Sequence, residues 1–316
     1  VSKRKLKVTI LGLIGILLVV IAGLIYSRFR ADVDKAFQRV SSNSKVVQTS
    51  CGTIEYTEFG EGEPMLMVHG SGGGYDQGEY FARLIGGNFH WIAPSRFGFL
   101  GSPAPDDASS EKQADAYACL LDALKIDRVG VVGVSLGGPS SLLFAQRYPE
   151  RVSSLVMISA ASFPIPPRPA LQTVVFKAFL NDFVFWSIIQ TNKSGLLDML
   201  GVPVSFQKEL LPDELAMAYS FVDDIMPMGA RLNGQLLEGE MSQYDTSLVK
   251  QINTPTLVVH ARDDSLVPFD HAEFTAQNVK GAELIPLEKG GHLALMFSVN
   301  SDALEQIRQF LNKTNQ

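Results

Sequence analysis

Apolar positions along this chain fall into three patterns. Val8 to Tyr26 runs for 19 residues without a charge. It has no polar face, so it predicts a helix that is apolar all round rather than one packed on a core. At about 1.5 Å per residue, such a helix nearly spans a hydrocarbon layer of about 30 Å. A second pattern begins near Thr53, where Thr53–Phe59 alternates like a half-buried strand. Met65–Val68, His90–Ala93, Val129–Val132 and Val152–Ile158 read as buried strands, with helical spacing over Ser109–Leu124 and Ser135–Tyr148. The same rhythm returns with strands at Thr256–Val259 and Glu283–Leu287 and helices at Phe269–Asn278 and Val299–Leu311. Strands alternating with helices predict an α/β fold, with a mostly parallel sheet covered by helices on both faces.

The third pattern interrupts the second. Between Phe163 and Tyr244 the spacing is helical and offers no strand. Pro164, Pro166, Pro167 and Pro169 open it stiffly, and Phe176, Phe179, Phe183, Phe185 and Trp186 follow. The segment reads as a helical lid over the sheet, its aromatics packing inward or meeting lipid. The predicted layout is a membrane anchor over 1–27, a linker with some helix over 28–45, a core over 46–162, the lid over 163–245, and the rest of the core over 246–316.

Charge refines this layout. Lys3, Arg4, Lys5 and Lys7 precede the apolar run, while Arg28 and Arg30 follow it with Asp32 and Asp34. The bias favours a single-pass anchor with its N-terminus inside and the large domain extracytoplasmic. A cleaved signal peptide fits less well, because the run is long and Leu24-Ile25-Tyr26-Ser27 is a poor cleavage site. A net charge of −6 with no basic stripe beyond the first residues excludes a nucleic-acid partner. Cys51 and Cys119 are too few for a disulfide scaffold or a structural zinc site. They read as two ordinary, partly buried thiols, with one disulfide as the alternative in an oxidising compartment.

The chemistry centres on Gly133-Val134-Ser135-Leu136-Gly137, set between a buried strand and a helix. A serine hydroxyl needs a base, a carboxylate to orient that base, and donors for the developing oxyanion. A sharp strand-to-helix turn with small flanking residues exposes such a serine. With His69-Gly70 ending an early strand, Asp264-Ser-Leu-Val-Pro268, and Gly290-Gly291-His292, the chain resembles the α/β-hydrolase superfamily from about Val47 to Leu311. The resemblance implies Ser135 as nucleophile, His292 as base and Asp264 as acid, with Asp263 as the alternative; Ala261 stands where a glycine is usual. It also implies an oxyanion hole of backbone N–H groups from Leu136 and Ser71, or Gly72, with His69 supporting that loop. His90, His260 and His271 read as structural. Ser95 stands where the family often has aspartate, and its loop reads as structural; Arg96 beside it could instead pair with an acidic residue or a substrate. No metal or cofactor is expected.

The expected activity is hydrolysis of a small-molecule ester or acyl substrate. Ser135 argues against epoxide opening and halide displacement, which use an aspartate at that position. Hydrolases of carbon–carbon bonds in ring-fission products are the alternative; they usually carry asparagine where Val134 stands, and a lid arginine, for which Arg231 or Arg168 could serve. Perhydrolases and acyltransferases share the triad. A non-catalytic binding protein on this fold is a further reading.

Overall fold

The computed structural model describes residues 3–166 and 169–314, and Arg168 lies outside them. The first element is α1, Lys3–Ser42. A hairpin of β1 (Lys45–Thr49) and β2 (Gly52–Phe59) follows, then β3 (Glu63–Val68), α2 (Tyr75–Ile85), β4 (Phe89–Pro94), α3 (Ser110–Leu124), β5 (Val129–Val134), α4 (Gly138–Arg147) and β6 (Val152–Ile158). Five helices separate β6 from the next strand: α5 (Ala170–Phe179), α6 (Asp182–Met199), α7 (Val204–Gln207), α8 (Pro212–Asp224) and α9 (Leu232–Met241). The chain closes with β7 (Thr256–Ala261), α10 (Asp270–Asn278), β8 (Glu283–Leu287) and α11 (Ser301–Thr314).

Among the described residues the strands form one sheet in the order β1-β2-β4-β3-β5-β6-β7-β8. β1 pairs antiparallel with β2 and β2 with β4, and every later pairing is parallel. Alternate strand residues divide the core. Met65, Met67, Val132, Val134, Val156 and Ile158 face one apolar layer, with α2, α11 and the inserted helices. Leu66, Val68, Val131, Leu155 and Met157 face the other, with α3, α4 and α10. The chain crosses from β3 outward to β4, then back past β3 to β5. That reversal opens a crevice at the carboxyl ends of β3 and β5, where open α/β sheets bind ligands.

Two expectations need correction. Residues 28–42 are not a linker: α1 continues unbroken through them, burying Phe29, Val33 and Val40. With Ala36 these positions form a helical stripe against the core. Phe29 meets Phe183 and Trp186 edge-on at 5.1 and 5.6 Å between ring centroids. Trp186 Nε1 donates to Asp32 at 2.8 Å, and Arg39 reaches Asp76 at 2.8 Å and the Met226 carbonyl at 2.7 Å. The cysteines are not free thiols: Cys51, in the turn between β1 and β2, is bonded to Cys119 on α3. The sequence pattern also passes over β1 and α2.

Candidate active site

β5 delivers Ser135. Its φ is +51°, the left-handed region that a side chain seldom occupies. Neighbouring glycines make the turn possible. A Cβ at Gly133 would stand 2.5 Å from Ser141 Oγ, and one at Gly137 2.6 Å from the His69 carbonyl. The Ala161 N–H donates to the Ser135 carbonyl at 3.0 Å and pins the turn to the end of β6.

The loop after β8 brings His292. Its Nε2 lies 2.9 Å from Ser135 Oγ and its Nδ1 2.8 Å from Asp264 Oδ2. With Nδ1–H donating to the ionised carboxylate, Nε2 is left to accept from the serine hydroxyl. The His292 N–H donates to the Gly201 carbonyl at 3.0 Å, so the inserted helices help to hold the histidine. Gly291, at φ +63°, lies so close to Gly201 that any Cβ would collide with its carbonyl.

Asp264 is the carboxylate that meets the base. Its Oδ1 accepts from the Leu266 and Val267 N–H groups at 2.9 Å each, and its Oδ2 faces both His292 and His260 Nε2, the latter at 3.2 Å. Burial alone would raise its pKa, but these hydrogen bonds, from His260 and His292 first, hold it well below the ordinary carboxylate range. Asp263 does different work. Its carboxylate accepts from the Gly290 and Gly291 N–H groups at 3.1 and 2.9 Å, fixing the loop that carries His292.

The loop after β3 faces the serine from the other side. His69 is buried. Its Nδ1 donates to the Gly70 carbonyl at 2.7 Å and its Nε2 accepts from the Arg96 N–H at 2.9 Å. Burial, reinforced by the Arg96 charge, pushes its pKa well below the usual histidine value, so it braces the loop as a neutral ring. Gln77 adds a second brace, accepting from the Gly70 N–H at 2.8 Å and donating to the Ser71 carbonyl at 3.3 Å. Ser71 Oγ donates to Gln235 at 2.7 Å. Arg96 pairs with Glu238 at 2.7 Å, both buried, and donates to the Gly70 carbonyl at 3.1 Å. Ser95 Oγ joins Glu55 to the N–H of Tyr75. Gln77, Gln235, Glu238 and the approach of His260 to Asp264 were invisible in the sequence, because each depends on tertiary approach rather than on a motif.

Of the remaining candidates, His90 bonds Glu58 at 3.0 Å, away from this crevice. His271 stacks on Phe163 with centroids 3.6 Å apart, and its Nδ1 accepts from the Ser162 N–H. Arg231 is buried and fully engaged: it holds Asp76 through both terminal nitrogens at 3.0 and 2.7 Å, and the Gly73 and Ile225 carbonyls at 2.6 and 2.9 Å.

Ser71, Gly72, Ser135, Leu136 and His292 open on a cavity of about 360 Å³. Its far walls are Phe176, Phe179, Phe185, Leu196 and Phe221 from the inserted helices, with Ile158 and Leu295 from the core. Among the described residues no lysine or arginine lines it, and its one carboxylate, Glu238, is held by Arg96. The arrangement suits a neutral, apolar guest with one reactive polar group at the serine.

Residues 63–299 match the family described as alpha/beta hydrolase fold. An uncharacterised hydrolase of Bacillus subtilis, YcgS, is 29% identical over 77% of this chain and 89% of its own length. The 2-hydroxy-6-oxo-6-phenylhexa-2,4-dienoate hydrolase of Burkholderia cepacia is also 29% identical, over 76% of this chain and 85% of its own. Among solved structures, an alpha/beta hydrolase fold protein from Nakamurella multipartita superposes with a TM-score of 0.72 at 26% identity, covering 85% of this chain and 99% of that one. A strained serine at the strand-to-helix turn, then an aspartate and a histidine in that chain order, and a family match over most of the length lead to one conclusion: the chain belongs to the alpha/beta hydrolase fold family.

Proposed function

We propose that the protein is a membrane-anchored serine hydrolase that cleaves carboxylic esters with apolar acyl groups, through Ser135, His292 and Asp264. The observation that carries this reading is the continuous Ser135–His292–Asp264 hydrogen-bond relay at the mouth of an apolar cavity with no lysine or arginine among its described lining residues. His292 takes the Ser135 proton as Oγ attacks the ester carbonyl, then returns it to the leaving alcohol. Water activated by the same ring hydrolyses the acyl-enzyme. The ionised Asp264 stabilises the imidazolium between these steps. The N–H groups of Leu136 and Ser71, or Gly72, serve as the oxyanion hole, where one such donor is worth about 3 kcal/mol.

A second reading, carbon–carbon hydrolysis, draws on the name of the Burkholderia cepacia relative. The dienoate in that name carries a carboxylate, and a buried carboxylate needs a cation or several donors. Arg231, the described candidate, is committed to Asp76, and Val134 precedes the nucleophile. These points favour the ester. Turnover of p-nitrophenyl esters of increasing chain length, with Ser135→Ala beside it, is the test. Activity abolished by the substitution is expected. Folded protein that leaves every ester intact would sink the ester reading, and turnover of a 2-hydroxy-6-oxo-dienoate would then favour the second.

The anchor reading rests on the exposed apolar surface of α1 from Val8 to Tyr26 and on the basic residues before it. The Cys51–Cys119 bond supports an oxidising, extracytoplasmic location for the domain. Retention in the membrane pellet after alkaline carbonate washing is expected; release into the supernatant would overturn the anchor.

A further inference from the structure

α5 carries apolar side chains both toward the cavity and toward solvent. Phe176 and Phe179 line the cavity, while Leu171, Val174 and Val175 point outward, 77%, 64% and 63% exposed. Helix α5 meets α6 at a bend of 73°, and the outer surface continues on α6 with Phe183 and Val184, also exposed. This face is unpartnered among the described residues, and its position is informative. The exposed apolar run of α1 ends at Tyr26, and α1 docks on α6 at Phe29, through Phe183 and Trp186. Three residues of helix rise by about 4.5 Å. The start of α6, and the bend that joins it to α5, therefore lie within about one helical turn of the level where α1 would leave the hydrocarbon. Arg28 and Arg30 are exposed at that same level, each paired loosely with an aspartate one turn on, at 3.9 and 3.4 Å, and within reach of lipid phosphates.

We infer that the outer face of α5, with the start of α6, seats in the bilayer surface as a second membrane contact, so that the cavity is open to substrate dissolved in the lipid. The occupant is acyl-chain hydrocarbon. Ring contacts run from Tyr26 of α1 through Phe29 to Phe183 at the start of α6, and Trp186, with its hydrogen bond to Asp32, holds that start beside α1. The inference rests on the anchor reading and adds to it a route into the cavity for apolar acyl esters.

The test uses the full chain in phosphatidylcholine nanodiscs, with an environment-sensitive fluorophore on one introduced cysteine at a time and a lipid whose acyl chain bears a nitroxide quencher. Val174→Cys reports on α5 and Val19→Cys on the anchor. Val46→Cys, exposed on β1 about 30 Å along the chain path beyond Tyr26, is the aqueous control. Strong quenching at Val174 and none at Val46 is expected, with at least a fivefold loss of the Val174 signal change when Leu171→Asp and Val175→Asp are added. Quenching at Val19 without quenching at Val174 overturns the inference and leaves the anchor standing. Quenching at neither overturns both. A Val174 label that escapes the lipid quencher and is also shielded from aqueous iodide would assign the face to a second protein copy, against the inference.

Discussion

At the scale of single residues, the site depends on backbone that only a few side chains tolerate. Ser135 sits at positive φ because Gly133 and Gly137 let the strand turn into the helix without collision. Gly133→Ala is therefore expected to destabilise the fold by about 1–3 kcal/mol and to lower activity, read from urea midpoints and ester turnover. Asp264→Asn should cut kcat by about 10⁴-fold, because an amide no longer favours the productive tautomer of His292. Asp263→Asn should act more mildly, through the Gly290–Gly291 loop, with a partial loss of kcat that the temperature dependence of turnover would reveal. Equal effects at the two positions would contradict the assignment of roles. That Ser135, Asp264 and His292 come together was legible because the local motif and the chain order are carried by the sequence itself. Asp264 was preferred to Asp263 there, but the work of Asp263 on the Gly290–Gly291 loop was not legible, since it depends on where that carboxylate points. The same holds for Gln77 and His260, whose partners are distant in sequence or close only by folding.

At the scale of elements, strands and helices that bury a regular stripe were read nearly in place; β6 and β8 match residue for residue. Helix α2 was missed because it starts in a glycine-rich loop and carries Gly78 within it. A Cβ there would lie 2.9 Å from Ala93 Cβ, so close packing on β4 imposes a residue that obscures the helical pattern. The second half of α1 was taken for a linker because its charges mask the stripe of Phe29, Val33, Ala36 and Val40. Phe29→Ala is expected to lower stability by roughly 3 kcal/mol, since it removes a ring packed between Phe183 and Trp186. A thermal midpoint unchanged by this substitution would mean that α1 does not dock in solution. The disulfide closes 68 residues of chain and is worth at most about 4 kcal/mol on the chain-entropy view. Cys51→Ser should lower the thermal midpoint by an amount that added reductant reproduces in the parent protein.

At the scale of the whole molecule, buried titratable groups set a pH window. Burial lowers the pKa of His271 to about 4, below its value in an unfolded chain. Its contribution to stability is therefore complete above about pH 6.5 and is lost as pH falls toward 4, amounting to about 3 kcal/mol. Burial pushes the Asp76 carboxyl up, but Arg231 and Arg39 outweigh it and hold its pKa at about 2. That contribution is retained until about pH 4 and is lost as pH falls to about 2. Unfolding free energy measured in urea should decline in two stages on acidification. His271→Asn should shrink the first stage, leaving the share that His69, also held neutral by burial, contributes, and should leave the second unchanged.

The unbroken helix from the apolar run into the domain has a geometric consequence. With no joint between Tyr26 and Phe29, the two ends of α1 are fixed in phase. One alanine inserted there would turn the whole domain by about 100° around the helix axis while raising it by only about 1.5 Å. Seven inserted alanines would restore the original facing within about 20° but lift the domain by about 10 Å. Facing and height can thus be varied separately in one protein, and an enzyme that draws substrate sideways from lipid would respond to both, whereas one that meets substrate in water would respond to neither.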